Sequence, residues 1–240
     1  MTASARRIEE MATAFWKAAG GRRKFGSPID LERAVALALP LGICRMPALS
    51  SAKVAAVLER IGTIPWSARP NRRLRGCLVA DLGVGLVFLD GEDPADEQRY
   101  SLAHEVAHFL LHYLQPRQHV LDVLGPDMTA VLDRARPPTN GERLSSALRD
   151  VVLEPFRHAM ARTADGRPTH FRTQSIEAEA DELADELIVP LAELRSRHDL
   201  TPERLAADYG LPIWATGRLA AIGGEESGGG VVSIFKKKRK

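Results

Sequence analysis

One segment, residues 102–114, limits how this chain can fold more than any other. Its sequence, LAHEVAHFLLHYL, predicts a helix whose apolar residues cover nearly the whole circumference. At about 100° per residue, its histidines and its one glutamate fall in a single stripe only about 100° wide. They are His104, Glu105, His108 and His112. Such a helix is buried on all sides, so the rest of the chain must enclose it and supply partners for the polar stripe.

The polar stripe contains the pattern H-E-x-x-H, which is typical of a metal site. His104 and His108 are four residues apart and share one helix face, so both imidazoles can bind a single Zn²⁺. Glu105 lies beside them, where it can take a proton from a metal-activated water as general base. The alternative is a buried helix with three structural histidines. Three histidines and one glutamate on an otherwise apolar helix favour the metal, and we predict one Zn²⁺ per chain.

A catalytic zinc site needs a third protein ligand and an open position. His112 is poorly placed, because eight residues from His104 correspond to about 12 Å along a straight helix. The best candidate is Glu177, in the segment SIEAEADELADELIVP, because it falls inside the core-facing arc of that amphipathic helix. Glu142 and Glu154 are weaker candidates, since neither has a comparable core-facing context.

Further residues are candidates for supporting roles. Asp181, one turn after Glu177 on the same edge, can accept the second N–H of a ligand histidine and fix its tautomer. Hydrolysis would also require a donor to the developing oxyanion, and the sequence does not choose among four candidates. They are Tyr113, His112, His170 and Tyr209. The strand GLVFLDG, residues 85–91, is expected to bind an extended substrate segment by strand addition.

The chain around these motifs is mostly helical in pattern. Helices are predicted in residues 1–62, one starting at Ser27 and Pro28 and another from a serine cap to Gly62. Residues 76–91 predict a β-hairpin that turns at 81–83. Residues 115–174 are rich in proline and helical in parts, including ERLSSALRDVVLEPFRHAMA. Sixty residues without regular structure would be unusual, so we expect a partly helical insertion that acts as a lid or docking surface.

Composition restricts the classes of function. With 33 Lys+Arg against 31 Asp+Glu, the net charge of +2 does not indicate a nucleic-acid or membrane partner. Cys44 and Cys77 are too few for a disulfide framework and are typical of reduced thiols. The N-terminal residues lack the continuous apolar stretch of a signal peptide, and the longest apolar run is too short to span a bilayer. We therefore expect a soluble, cytoplasmic protein.

Two segments carry a family resemblance. RRLRGCLVADLGVGLVFLDGEDPADEQRYSLAHEVAHFLLH, followed by IEAEADELADELIVP, resembles the ImmA/IrrE family of zinc metallopeptidases. The resemblance covers roughly residues 40–222. It implies that His104, His108 and Glu177 bind zinc and that Glu105 is the general base. It also implies that the substrate is a helix-turn-helix repressor, whose cleavage controls gene expression in mobile elements or in stress and DNA-damage responses. The chain departs from the compact family pattern in the 68 residues between His108 and Glu177.

Together these inferences predict an α+β fold. Its mostly helical, gluzincin-like peptidase core would carry a small antiparallel sheet beside the H-E-x-x-H helix. This metallopeptidase domain would span residues 1–197, followed by a helix-turn-helix-like pair (198–223) and a flexible basic tail (224–240). Within the first domain we expect the following parts: N-terminal helices at 1–62, the sheet at 63–91, the active-site helix at 94–114, the insertion at 115–174 and the third-ligand helix at 175–189.

The C-terminal region supports an alternative function. Residues 201–223 have the length and turn spacing of a helix-turn-helix, with Gly210 in the turn. The presumed recognition helix carries just one residue suited to reading bases, Arg218, so packing on the core or on a protein partner is favoured over DNA binding. In the alternative, the chain is a DNA- or protein-binding regulator that uses these helices and the terminal KKKRK, and its metal site is structural or inactive.

Overall fold

A computed structural model of the protein describes residues 3–62, 70–149, 151–162, 171–195, 197 and 200–224. These residues form eleven α-helices and four β-strands, which confirms the predicted α+β class. In chain order the elements are α1 (Ala3–Ala18), α2 (Leu31–Ala38), β1 (Leu41–Met46), α3 (Ser51–Arg60), β2 (Leu74–Asp81), β3 (Val84–Asp90), α4 (Ala95–His108), α5 (Gln115–Leu124), α6 (Thr129–Leu132), α7 (Asn140–Leu144), β4 (Phe156–Ala161), α8 (Phe171–Ile188), α9 (Leu191–Arg195), α10 (Pro202–Tyr209) and α11 (Ile213–Gly224).

The four strands form one mixed sheet in the order β1-β3-β2-β4. β2 and β3 are the predicted hairpin, and its turn residues Leu82 and Gly83 have φ values of 48° and 82°, as a tight hairpin turn requires. β4 pairs antiparallel with β2, but β1 pairs parallel with β3. The predicted antiparallel hairpin is confirmed, but the sheet extends beyond the predicted residues 63–91 and is mixed, because β1 adds to it in parallel. In a short apolar run such as the one that contains β1, periodicity does not distinguish a strand from a helix, and β1 was therefore missed.

Helices cover both faces of the sheet. α4 lies against β2 and β3 on one face, and α8 packs across α4. The residues of α4 from Tyr100 to His108 are all buried, which confirms that this helix is enclosed. α3 covers the opposite face, where Val54 and Leu58 pack with Cys77 and Val79. The sheet and α8 thus hold α4 between them.

The starts of α2 and α3 are fixed by side-chain caps. α3 begins after Ser50, whose hydroxyl accepts from the Lys53 N–H at 3.4 Å, and this is the predicted serine cap. α2 begins later than predicted. Asp30, not Ser27, is its cap and accepts from the Arg33 N–H at 3.1 Å. The Ser27 hydroxyl instead donates to the Asp208 carbonyl, so it is used in a tertiary contact.

The insertion is partly helical, as predicted, but it also contains the strand β4. α5, α6 and the short helical turns at 126–128 and 146–148 surround a small apolar core separate from the main one. Its fully buried members are Val120, Met128, Val131, Leu132 and Ala147. The helical interpretation of residues 156–161 is wrong. In FRHAMA, exposed Arg157 and Ala159 alternate with half-buried Phe156, His158 and Met160, and this two-residue period is that of a strand.

The C-terminal helices lie where the sequence predicts them. Gly210, between α10 and α11, has a left-handed backbone with φ of 62°. α8 ends at Ile188, just before Pro190, as expected from the proline. None of the helices in the described part of the chain combines the length and apolar character needed to cross a membrane.

Candidate metal centre

α4 brings two imidazoles together. His104 and His108 are one helical turn apart, and their Nε2 atoms are 3.1 Å from each other. Both side chains are buried. Because α4 is enclosed by the sheet and α8, these rings have little freedom to move apart.

α8 adds a carboxylate to the two imidazoles. Glu177 Oε2 lies 3.3 Å from His104 Nε2 and 3.6 Å from His108 Nε2. Ligand atoms in a tetrahedral zinc site with bonds of about 2.0–2.1 Å lie about 3.3 Å from one another. The three predicted ligands therefore lie at separations that fit one zinc ion, and two imidazoles with one carboxylate are suitable donors for it.

A fourth donor, His158 on β4, was missed in the sequence. Its Nδ1 lies 2.8 Å from Glu105 Oε2, and its Nε2 lies 3.1 Å from Glu177 Oε1. Its ring stacks on that of His108 with centroids 3.7 Å apart. One ligand atom from each of His104, His108, His158 and Glu177 lies within 4.8 Å of the others. The alternating pattern of FRHAMA was the available signal, because it places His158 on the strand face that also carries Met160.

Glu105 is completely buried beside the cluster. It occupies space left by Gly76 on β2, where an added Cβ would lie 3.0 Å from Glu105 Oε1. Burial by itself would raise the pKa of this carboxyl, but the imidazole of His158, with those of His104 and His108, holds the pKa below its usual value. Glu105 is therefore ionised, and its Oε1 has no hydrogen-bond partner within the described residues.

Asp181 lies behind His104. Its Oδ1 is 3.0 Å from His104 Nδ1, so the Nε2 of the same ring faces the cluster. The arrangement is the one expected if Asp181 fixes a ligand tautomer. Asp181 also accepts a hydrogen bond from the Tyr100 hydroxyl and one from Arg218 on α11, at 3.2 Å and 2.7 Å. Arg218 thus connects the C-terminal helices to the region behind the cluster.

His112 lies behind His108. The chain continues from α4 through a π-helical turn, Phe109–Leu114, and the two Nδ1 atoms are 3.0 Å apart. His112 is not one of the four clustered donors, consistent with its distance from His104 along the helix. Burial lowers the pKa of His112 to about 4. Its position behind His108 does not suit the role of oxyanion donor that the sequence left open.

Charges within the cluster are balanced mainly by His158. Burial lowers the pKa of His108 to about 4, so this imidazole is neutral. Burial acts in the same direction on His158, but the carboxylates of Glu105 and Glu177 raise its pKa to about 10. The pKa of Glu177 is lowered, because hydrogen bonds from the three imidazoles outweigh the effect of burial. The two acids are thus ionised, and the histidine between them is protonated.

The remaining predicted oxyanion donors lie away from the cluster or cannot be placed. The Tyr113 hydroxyl accepts from the Gly83 N–H at 2.7 Å, at the β2–β3 turn. Tyr209 is the last residue of α10 and packs at the margin of the main core. His170 falls outside the described residues.

Two weaker ligand candidates also lie outside the four-donor group. Glu142 accepts hydrogen bonds from Arg136 at 2.7 and 2.8 Å and completes the capping box of α7. Glu154 is exposed just before β4. Neither belongs to the cluster, whose carboxylate is that of Glu177.

The proposed strand addition to β3 is wrong, because β3 is an interior strand between β1 and β2. Both of its edges are used in the sheet. Of the described strands, β4 is the edge strand that carries a residue of the cluster, since its only neighbour is β2. An extended substrate segment would have to meet the sheet at that edge.

Comparison with known proteins is informative for the centre of the chain. Residues 68–135 match the family model of a peptidase family, described as the IrrE N-terminal-like domain. The matched segment contains β2, β3 and α4, with His104, Glu105 and His108. A search of the curated proteins gives no match.

Proposed function

We propose that the chain is a zinc-dependent endopeptidase of the ImmA/IrrE family, a proposal that the family match at residues 68–135 supports. One observation carries this proposal. His104 Nε2, His108 Nε2 and Glu177 Oε2 are separated by 3.1, 3.3 and 3.6 Å, which are separations suited to one zinc ion. The proposal includes a gluzincin-like core, in which α4 supplies two ligands and α8 the third.

The proposed roles follow from the positions of the side chains. His104, His108 and Glu177 would hold the ion, with His104 oriented by Asp181 and His108 by His112. When bound, zinc supplies Lewis-acid activation of water and of the scissile carbonyl. Glu105, ionised and adjacent to the ligands, would accept the proton of the attacking water and deliver it to the departing amine.

The proposed substrate is a regulatory protein, specifically a helix-turn-helix repressor whose cleavage changes gene expression. This part depends on the family resemblance. A cytoplasmic location agrees with the two free cysteines, Cys44 and Cys77. α10 and α11 are proposed as a helix-turn-helix-like pair that contacts the core or the protein substrate.

The alternative, a DNA-binding regulator, is not favoured, because its one base-reading candidate is otherwise engaged. Arg218 binds Asp181 and Asp185 at 2.7 and 2.8 Å, and donates to the Tyr100 hydroxyl at 2.8 Å. A guanidinium held by three groups of its own protein is not available to a base edge.

The test is the zinc content of the dialysed protein and of two variants, together with hydrolysis of an unfolded protein such as casein. We expect about one zinc per chain in the wild type and much less in Glu177→Ala, because a ligand is lost. Glu105→Gln should keep its zinc and lower the rate by about 100-fold or more, as loss of a general base does. A wild-type protein that binds no zinc, or a Glu105→Gln variant of unchanged activity, contradicts the proposal.

A further inference from the structure

We propose that His158 is a fourth protein ligand of the metal and that β4 thereby closes the site. The inference rests on the proposed function, because it concerns the same ion. It assigns a role to β4, the strand within the insertion.

The three clustered histidines share one arrangement. Each ring directs Nε2 toward the cluster, and each Nδ1 has a partner behind it. These contacts are His104 to Asp181 at 3.0 Å, His108 to His112 at 3.0 Å and His158 to Glu105 at 2.8 Å. Histidines that bind metals almost always use the second nitrogen in this way, because the partner fixes the tautomer and the ring orientation. His158 therefore has the environment of a ligand, and metal binding would displace the Nε2 proton that it carries in the metal-free cluster, while Nδ1 keeps its proton toward Glu105.

Four protein donors change the kind of metal site. Zinc sites that catalyse reactions have three protein ligands and an open position, whereas closed structural sites have four. A ring nitrogen of His158 and one donor atom from each of His104, His108 and Glu177 lie within 4.8 Å of one another. With all four bound, no coordination position would remain for water or substrate.

The contact that orients His158 also occupies the general base. Glu105 Oε2 is the atom that contacts His158 Nδ1, so only Oε1 is without a partner in the described structure. A base engaged in this way cannot orient a water with both oxygens. The closed site would thus lack an open position and a free base at the same time, and it is a resting form of the peptidase.

β4 is suited to opening the site. It pairs with β2 on one side and is an edge strand, and the pairing is irregular between Leu74 and Gly76. The other three donors lie on α4 and α8, which pack against each other. Movement of β4 away from β2 would therefore withdraw His158 and leave the three-ligand site intact.

The experiment uses the full chain loaded with Co²⁺, whose visible absorption reports coordination number. We expect the wild type to give an intense four-coordinate spectrum that added azide does not change. His158→Ala should give a weaker spectrum, typical of added water, that responds to azide. Free imidazole should restore the wild-type spectrum. The affinity for metal should fall by more than about tenfold, because replacing a residue that only orients a ligand already lowers the affinity by about that much. His119→Ala, at an exposed histidine of α5, is the matched control.

A second variant covers the case in which His158→Ala does not fold. His158→Cys keeps a donor at this position, and we expect a new thiolate-to-cobalt charge-transfer band that is absent from the wild type with its own two cysteines. Hydrolysis of casein should rise in His158→Ala and disappear when Glu105→Gln is added.

Two results overturn different claims. If Co²⁺ binds but its spectrum and affinity are the same in wild type and His158→Ala, and His158→Cys shows no new band, His158 is not a ligand and the peptidase proposal stands. If the wild type binds neither cobalt nor zinc, the proposed function itself fails.

Discussion

The two walls of the candidate metal site, a helical wall (α4 with α8) and a strand wall (β4), differ in how they hold their donors. The helical wall carries His104 and His108 on the buried part of α4 and Glu177 on α8, which packs directly against α4. The strand wall, β4, carries His158 on an edge strand that pairs only with β2. Donors on the first wall are fixed by the helical repeat and by close packing. The donor on the second depends on a strand pairing that can be lost without unfolding either helix.

The largest expected effect is a difference in zinc retention between a variant of the helical wall and a variant of the strand wall. His108→Ala should leave no measurable zinc after dialysis against a weak chelator, because it removes a fully buried ligand from the helical wall. His158→Ala should retain part of its zinc, since three donors remain. Zinc would be measured by elemental analysis, with His119→Ala as the control. Equal loss from both variants would show that the two walls do not differ in this respect.

The helical wall could be predicted from sequence because its geometry is local. His104 and His108 are four residues apart on a helix, and the periodicity of α8 placed Glu177 toward the core and Asp181 on the same edge. Each inference needed only the repeat of one helix. The packing of α8 on α4 then follows from their apolar faces.

The strand wall could not be predicted because its position depends on non-local pairing. His158 is 53 residues from Glu105, and only the pairing of β4 with β2 brings them together. β1 was missed for a similar reason, since its parallel pairing with β3 leaves no local sequence signal. The prolines of the insertion indicated irregular structure but did not indicate which part would join the sheet.

The next effect concerns Gly76 on β2, the residue that packs against Glu105 beside both walls. Gly76→Ala places a Cβ 3.0 Å from Glu105 Oε1 and 3.2 Å from its Cγ, so the Glu105 side chain must shift. We expect the free energy of unfolding to fall by about 1–3 kcal/mol, as for other overpacked sites, when measured by urea denaturation. Gly141→Ala, where an added Cβ meets nothing within 4 Å, is the control and should change stability much less. If Gly76→Ala leaves the free energy of unfolding unchanged, the contact between Gly76 and Glu105 is loose.

A smaller effect tests whether α11 supports the helical wall. Arg218→Met removes the cation that binds Asp181 behind His104, so metal affinity should fall by about tenfold, as for loss of outer partners of ligands. Arg6→Met, which removes an exposed pair with Glu10, should leave the affinity unchanged. Metal titration measures both variants. A loss of duplex DNA binding in Arg218→Met without a change in metal affinity would instead support the alternative function.

The smallest effect is a pH dependence of the free energy of unfolding that arises from Asp185. Arg218 binds the carboxylate of this residue and that of Asp181. Asp185 is 3 % exposed and its Oδ1 has no partner in the described structure. Burial raises the pKa of this carboxyl to about 7, an effect that Arg218 opposes and Asp181 increases. In the unfolded chain the pKa is near 3.9, so between about pH 4 and pH 7 the folded chain binds more protons than the unfolded chain.

The contribution of Asp185 to stability therefore falls as the pH rises through this range, and it becomes constant above about pH 8. Asp185→Asn removes the titration. Between pH 6 and pH 7, the wild-type free energy of unfolding should decrease by about 1 kcal/mol more than that of the variant in urea denaturation. Every other group titrates in both proteins, so the difference isolates Asp185. Parallel pH profiles would mean that Arg218 keeps Asp185 ionised throughout, and the support behind the helical wall would then be a fully charged network of one arginine and two carboxylates.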